Sequence, residues 1–186
     1  LIFDAQVDAR GSNTLVIEFN DLRGYRSTGG NQVKVNVNHG INTSVYRLVK
    51  EGNGPASFGG YKTRLYQGRY NARPDADYPY LLPAKEGEKV RISRFSNINH
   101  RIGKNEGDSV LGFVFNYVDS DTVYAIRSGY VTRIEDRERD MKNSGAEYQT
   151  VFDRPSRSIT IVEHKDGTLA RYSCLTAAKN LLEPGN

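Results

Sequence analysis

Apolar positions recur at nearly every second residue through most of the chain. The stretches "TLVIEFN" (14–20), "QVKVNVN" (32–38) and "TSVYRLV" (43–49) alternate in this way. That is the period of a half-buried strand, because successive side chains leave opposite faces of the pleat. "YKTRLYQGRY" (61–70) sets Tyr on one face and Lys or Arg on the other. "RSTGGN", "NHGINT" and "EGNGPASFGG" punctuate these runs as turns. Residues 1–77 therefore predict a sandwich-like β domain of short strands.

"NARPDADYPYLLP" (71–83) breaks the alternation with three prolines in ten residues and suits an extended connector. A domain boundary is expected near residue 78. Strands resume at "KVRISRF" (89–95), "VLGFVF" (110–115), "TVYAIRSGYVTRIED" (122–136), "SITIVEH" (158–164) and "TLARYSC" (168–174). Residues 137–157 are polar and aperiodic and read as a long loop. Only "LTAAKNLLEP" (175–184) suits a helical turn. The fold class expected is all-β, with domains over 1–77 and 78–186.

At 186 residues the chain can bury a core without covalent staples. Its single cysteine, Cys174, excludes an internal disulfide and any multi-cysteine zinc site. Net charge is +4, with no basic block of the kind that tracks nucleic acid. A mildly basic surface suits an ordinary protein surface or an anionic polymer such as cell wall. No run of 18 or more apolar residues is present. The start "LIFDAQVDARG" is that expected of a mature chain whose leader has been removed.

Candidate chemistry is sparse. His39, His100 and His164 are far apart, and no HExxH or HxH pair occurs. His39 lies in a turn and is expected at the surface. No GxSxG elbow occurs, and "GNGPASFGG" lacks the lysine of a phosphate loop. Cys174 as a nucleophile would need a histidine base. His164 is ten residues earlier, across a hairpin. Pairing 163–165 with 168–170 sets Cys174 well down the ladder from it, so a packed thiol is the simpler reading. The 12 tyrosines suit a polysaccharide platform or the wet edge of a core.

The order of segments in 78–185 resembles the lysostaphin-type (LytM-like) zinc endopeptidases that cut peptidoglycan cross-links. "DTVYAIRSGYV" is similar to that family's "GTPVYAxxxGxV", and "ITIVEHKDGTLARYSCL" to its "xVxIxHxDG" followed by "xxxYxHL". The Tyr-rich N-terminal part resembles that of secreted relatives. The resemblance implies that the first zinc histidine of "H…AxDF" falls on His100. The aspartate ligand falls on Gly112 of "LGF", which has no side chain to ligate. Asp108 of "EGD" is an alternative four residues out of register. The catalytic histidine of "YxHL" falls on Cys174, and "PHLHF" has no counterpart.

At most one zinc ligand of three is then retained, which does not hold the metal or activate water. His100 and His164 are expected to be structural or vestigial. The expectation is a degenerate, C-terminally incomplete member: a non-catalytic binding or regulatory module of the cell envelope. It would be monomeric, periplasmic or extracellular, and without cofactor. Its partner would be peptidoglycan or an envelope protein, with no nucleic acid and no transmembrane segment. One alternative is an active zinc endopeptidase; another is a carbohydrate-binding or structural β-protein.

Overall fold

The computed structural model describes residues 1–94, 112–118, 122–135 and 158–175, with the backbone alone at Cys174. His100, Asp108, the expected loop over 137–157 and nearly all of the expected helical turn over 175–184 lie outside these residues. Among these described residues there are ten strands: β1 (Ile2–Phe19), β2 (Tyr25–Arg26), β3 (Gln32–Arg47), β4 (Val49–Lys50), β5 (Tyr61–Gln67), β6 (Val90–Arg94), β7 (Phe113–Tyr117), β8 (Tyr130–Glu135), β9 (Ser158–Glu163) and β10 (Leu169–Leu175). Every pairing is antiparallel. The described chain is all-β, as the alternation predicts.

Two compact units emerge. Leu1–Asp77 groups with Gly129–Asn186, and Tyr78–Ser128 forms the second unit. The strands after Gly129 thus fold with the first 77 residues.

The first unit is built on a ribbon of β1 and β3, with β5 on the far side of β1. The alternation suggests two strands, 32–38 and 43–49, separated by a turn at "NHGIN". They are one strand, β3, and the turn is a bulge. Val7 faces Gly40 and Ser12 faces Asn38, so residues 8–11 of β1 oppose His39 alone. Gly40, at φ +94°, allows the kink. The Asn42 side chain closes the bulge on β3, accepting from Asn38 N–H and donating to the Asn38 carbonyl. His39 is exposed, as expected, with Nδ1 at 3.1 Å from the Asp8 carbonyl.

The bulge bends the ribbon back on itself. Sixteen residues of straight strand would hold Phe3 and Phe19 roughly 50 Å apart. Their rings lie 5.4 Å apart instead. Between the two limbs sits the core of Val7, Leu15, Ile17, Phe19, Val33, Val37 and Leu48. Ile17, Val37 and Leu48 are almost fully buried. A ring system of Phe3, Phe19, Tyr46, Phe58 and Tyr61 extends it in edge-on and tilted pairs. Burial pushes the Tyr46 phenol pKa up, but hydrogen bonds at Ser27, Thr28 and Gly29 more than offset this and hold it below 10.

The second three-stranded sheet of this unit runs β10-β9-β8. Its central strand, β9, buries Ser158, Ile159, Thr160 and Val162. β8 has its own bulge at Thr132, between Val131↔Val162 and Arg133↔Ile161. The bulge of β1 docks there. A methyl added to Gly11 would overlap Thr132 Cγ2 and come within 2.6 Å of Glu163 Oε2, and φ is +77°. Only glycine fits the conformation and the contact together.

In the second unit β6 pairs with β7. The alternation of "TVYAIRSGYVTRIED" suggests one strand over 122–136, but strand begins only at Tyr130. Residues 124–126 instead run beside 81–83. Leu81 N–H donates to the Ile126 carbonyl at 2.9 Å and Tyr124 N–H to the Pro83 carbonyl at 3.1 Å. Proline at 83 has no N–H to give, so that line of pairing cannot extend as a regular ladder. Tyr117 OH also donates to the Pro83 carbonyl, at 2.7 Å. Burial first, then the Glu88 charge, raise the Tyr117 pKa above 10.

Two outcomes are expected in thermal or urea unfolding. Phe19→Ala should lose about 3–5 kcal/mol, the cost of emptying a packed aromatic site. Gly11→Ala should lose about 1–3 kcal/mol through overpacking and a strained φ.

Candidate functional site

The turn between β9 and β10 is "HKDGT". Asp166 Oδ1 accepts from Thr168 N–H at 3.1 Å and from Thr168 Oγ1 at 2.7 Å, an aspartate-closed turn. His164 N–H donates to the Thr168 carbonyl and Gly167 N–H to the His164 carbonyl, both at 2.9 Å. These bonds fix the His164 backbone at the head of the hairpin.

The His164 side chain is packed into the interior, at 3% exposure. Gly129 lies against it. A methyl there would sit 2.6 Å from the Glu163 carbonyl and 3.0 Å from His164 Nδ1. The glycine of "SGYV" therefore serves the approach of the 129–130 backbone to the end of β9.

Cys174 lies on the other arm of the hairpin. Glu163 pairs with Leu169 and Ile159 with Ser173, and the bulged position of Cys174 falls before Leu175↔Ser158. Its backbone is about five ladder steps, roughly 16 Å, from that of His164. The structure thus keeps the two apart along the ladder, as the spacing predicts. Gly112 is half-buried just before β7, in the second unit, and carries no donor atom. Among the described residues no group of three or more His, Cys, Asp or Glu side chains lies together to hold a metal ion. The described residues do not fit a zinc centre.

A side chain that ties β9 to β1 was not among the sequence candidates. Glu163 Oε2 accepts from the Ser12 backbone N–H at 2.7 Å, across 151 residues. Around it lies a polar seam. Gln67 Nε2 donates to Thr132 Oγ1, which donates to the Ile161 carbonyl. Arg69 Nε donates to Ser12 Oγ at 3.0 Å. Thr14 Oγ1 donates to the Gly68 carbonyl at 2.7 Å. Ser12, Thr14 and Thr132 are buried, so each bond matters more than one at the surface. The one available signal was a glutamate interrupting the apolar run "ITIVEH".

The second unit carries a cation–π stack. The Arg127 guanidinium lies 3.7 Å from the Tyr78 ring centre and 5.8 Å from that of Tyr80. Tyr78 and Tyr80 meet edge to face at 5.5 Å. Tyr80, Leu81 and Leu82 are exposed.

No family model matches the chain, and neither a curated protein nor a solved structure matches it.

Glu163→Ala should lose about 1–3 kcal/mol in chemical unfolding, because the Ser12 N–H is left without its acceptor. Gly129→Ala should lose a comparable 1–3 kcal/mol, since the atoms it meets include backbone.

Proposed function

We propose that the chain is a non-catalytic binding or regulatory module of the cell envelope, on a lysostaphin-type scaffold. The observation that carries the reading is the fate of the positions that resemble the family's site. Glycine stands at 112, where the aspartate ligand would be, and cysteine at 174, where "YxHL" has its histidine. His164 is sealed in the interior and set well along the ladder from Cys174. A thiol does not replace an imidazole in proton transfer at that place. Without a metal-held water the hydrolytic route has no nucleophile at neutral pH. In this reading the module meets peptidoglycan, or a protein bound to it, in the periplasm or outside the cell. A mildly basic surface favours that contact, because wall polymers are anionic.

The test is elemental analysis after equilibration with zinc, run beside co-sedimentation with purified peptidoglycan and chromatography of muropeptides. The expected result is no stoichiometric zinc, no cleavage, and protein in the peptidoglycan pellet. One zinc per chain together with cleaved cross-links would establish the active endopeptidase instead. Cys174→Ser should change stability by no more than about 1–2 kcal/mol, as a small side-chain change does, and leave co-sedimentation intact.

A further inference from the structure

β5 is an edge strand: its only described partner is β1. The direction of its free groups follows from its ends. Gly68 N–H donates to the Ser12 carbonyl and Asn20 N–H to the Gly60 carbonyl. The register pairs Asn13 with Gln67 and Phe19 with Tyr61. In an antiparallel ladder hydrogen-bonded pairs alternate with non-bonded ones. Lys62, Arg64 and Tyr66 therefore make the bonds to β1. The N–H and C=O groups of Tyr61, Thr63 and Leu65 point the other way, and they make no bond to a described residue.

The side chains beside this row are also open. Tyr61 is 51% and Leu65 45% exposed, on the face that carries Leu15 and Ile17. Lys62 and Arg64 are exposed on the opposite face. Arg64 reaches Glu18 at 3.4 Å, and Lys62 has no ion-pair partner among the described residues. The outer edge of β3 differs. Along its 32–38 limb Val33 and Val37 are buried in the core, so no apolar shelf accompanies the free groups there.

We propose that β5 takes an extended acidic strand of a partner protein by β-augmentation. The main-chain row of Tyr61, Thr63 and Leu65 supplies the ladder. Apolar residues of the guest lie against Tyr61 and Leu65, and its alternate carboxylates lie against Lys62 and Arg64. Charge disfavours the fullest pairing with a second copy of this chain. An antiparallel pairing of β5 with its twin, centred on Thr63, sets each Lys62 opposite an Arg64, and like charges directly opposite are unfavourable. The proposal is independent of the zinc question, because none of these residues belongs to the resembled site.

The probe is a short labelled peptide of alternating Val and Glu, followed by fluorescence anisotropy with the full chain. Saturable binding that weakens as salt is raised is expected. Thr63→Pro removes only an outward N–H and leaves the bonds to β1, so it should lower affinity about tenfold or more while Thr63→Ala does not. The same peptide N-methylated at alternate residues tests those bonds on unaltered protein and should not bind. Absence of saturable binding overturns the proposal. So does equal binding of a Val–Lys peptide, undiminished binding of the N-methylated one, or a dimer in sedimentation that Thr63→Pro dissolves.

Discussion

A peptide N–H turned inward at the end of a ladder must find an acceptor, and beside Ser12 the Gly68 carbonyl accepts from Thr14 Oγ1 instead. β5 stops at Gln67, and the N–H that would have continued the ladder takes the carboxylate of Glu163. A charged acceptor makes the bond stronger than an amide would. It also imposes geometry. For the carboxylate to reach Ser12, Gly11 must pass against Thr132, and Thr132 must be the bulged residue of β8. Two irregularities in separate sheets are thus matched to each other. The hydroxyls and amides around them add further bonds across the seam.

The same bulge shapes the apolar core. Residues 8–11 oppose a single residue of β3, which turns the ribbon sharply enough for Phe3 to meet Phe19. One insertion of backbone therefore both builds the core of the first limb and presents the polar seam to β8 and β9. Packing and hydrogen bonding are not separable contributions here. Loss of the seam frees the bulge, and a freed bulge loosens the limbs that enclose Ile17 and Val37.

The all-β character was legible because alternation is a local property, visible in "QVKVNVN" and "SITIVEH" alike. The spacing of His164 and Cys174 was legible for the same reason, since hairpin register follows from the "KDG" turn. The continuity of β3 was not. "NHGIN" has the composition of a turn, and whether glycine and asparagine end a strand or kink it depends on the partner strand. The segment 122–128 alternates like a strand yet bonds along its backbone beside Leu81 and Pro83, where proline ends a regular ladder. Glu163 was invisible because its acceptor role is defined by an N–H 151 residues away. Nothing local marks Gly11 as the glycine that must stay small, among the 18 in the chain.

That long reach has a kinetic side. Until β9 exists the Ser12 N–H has water as its acceptor, and in a chain made from its N-terminus more than a hundred further residues are added before Glu163 can take it. Through that interval the outer edges of β3 and β5 are open to other chains. The segment 78–128 contains its own pairing of β6 with β7 and can close locally in the meantime. The first unit is thus completed by a late hairpin that docks on strands made long before, through contacts of long sequence separation, the kind that slows folding.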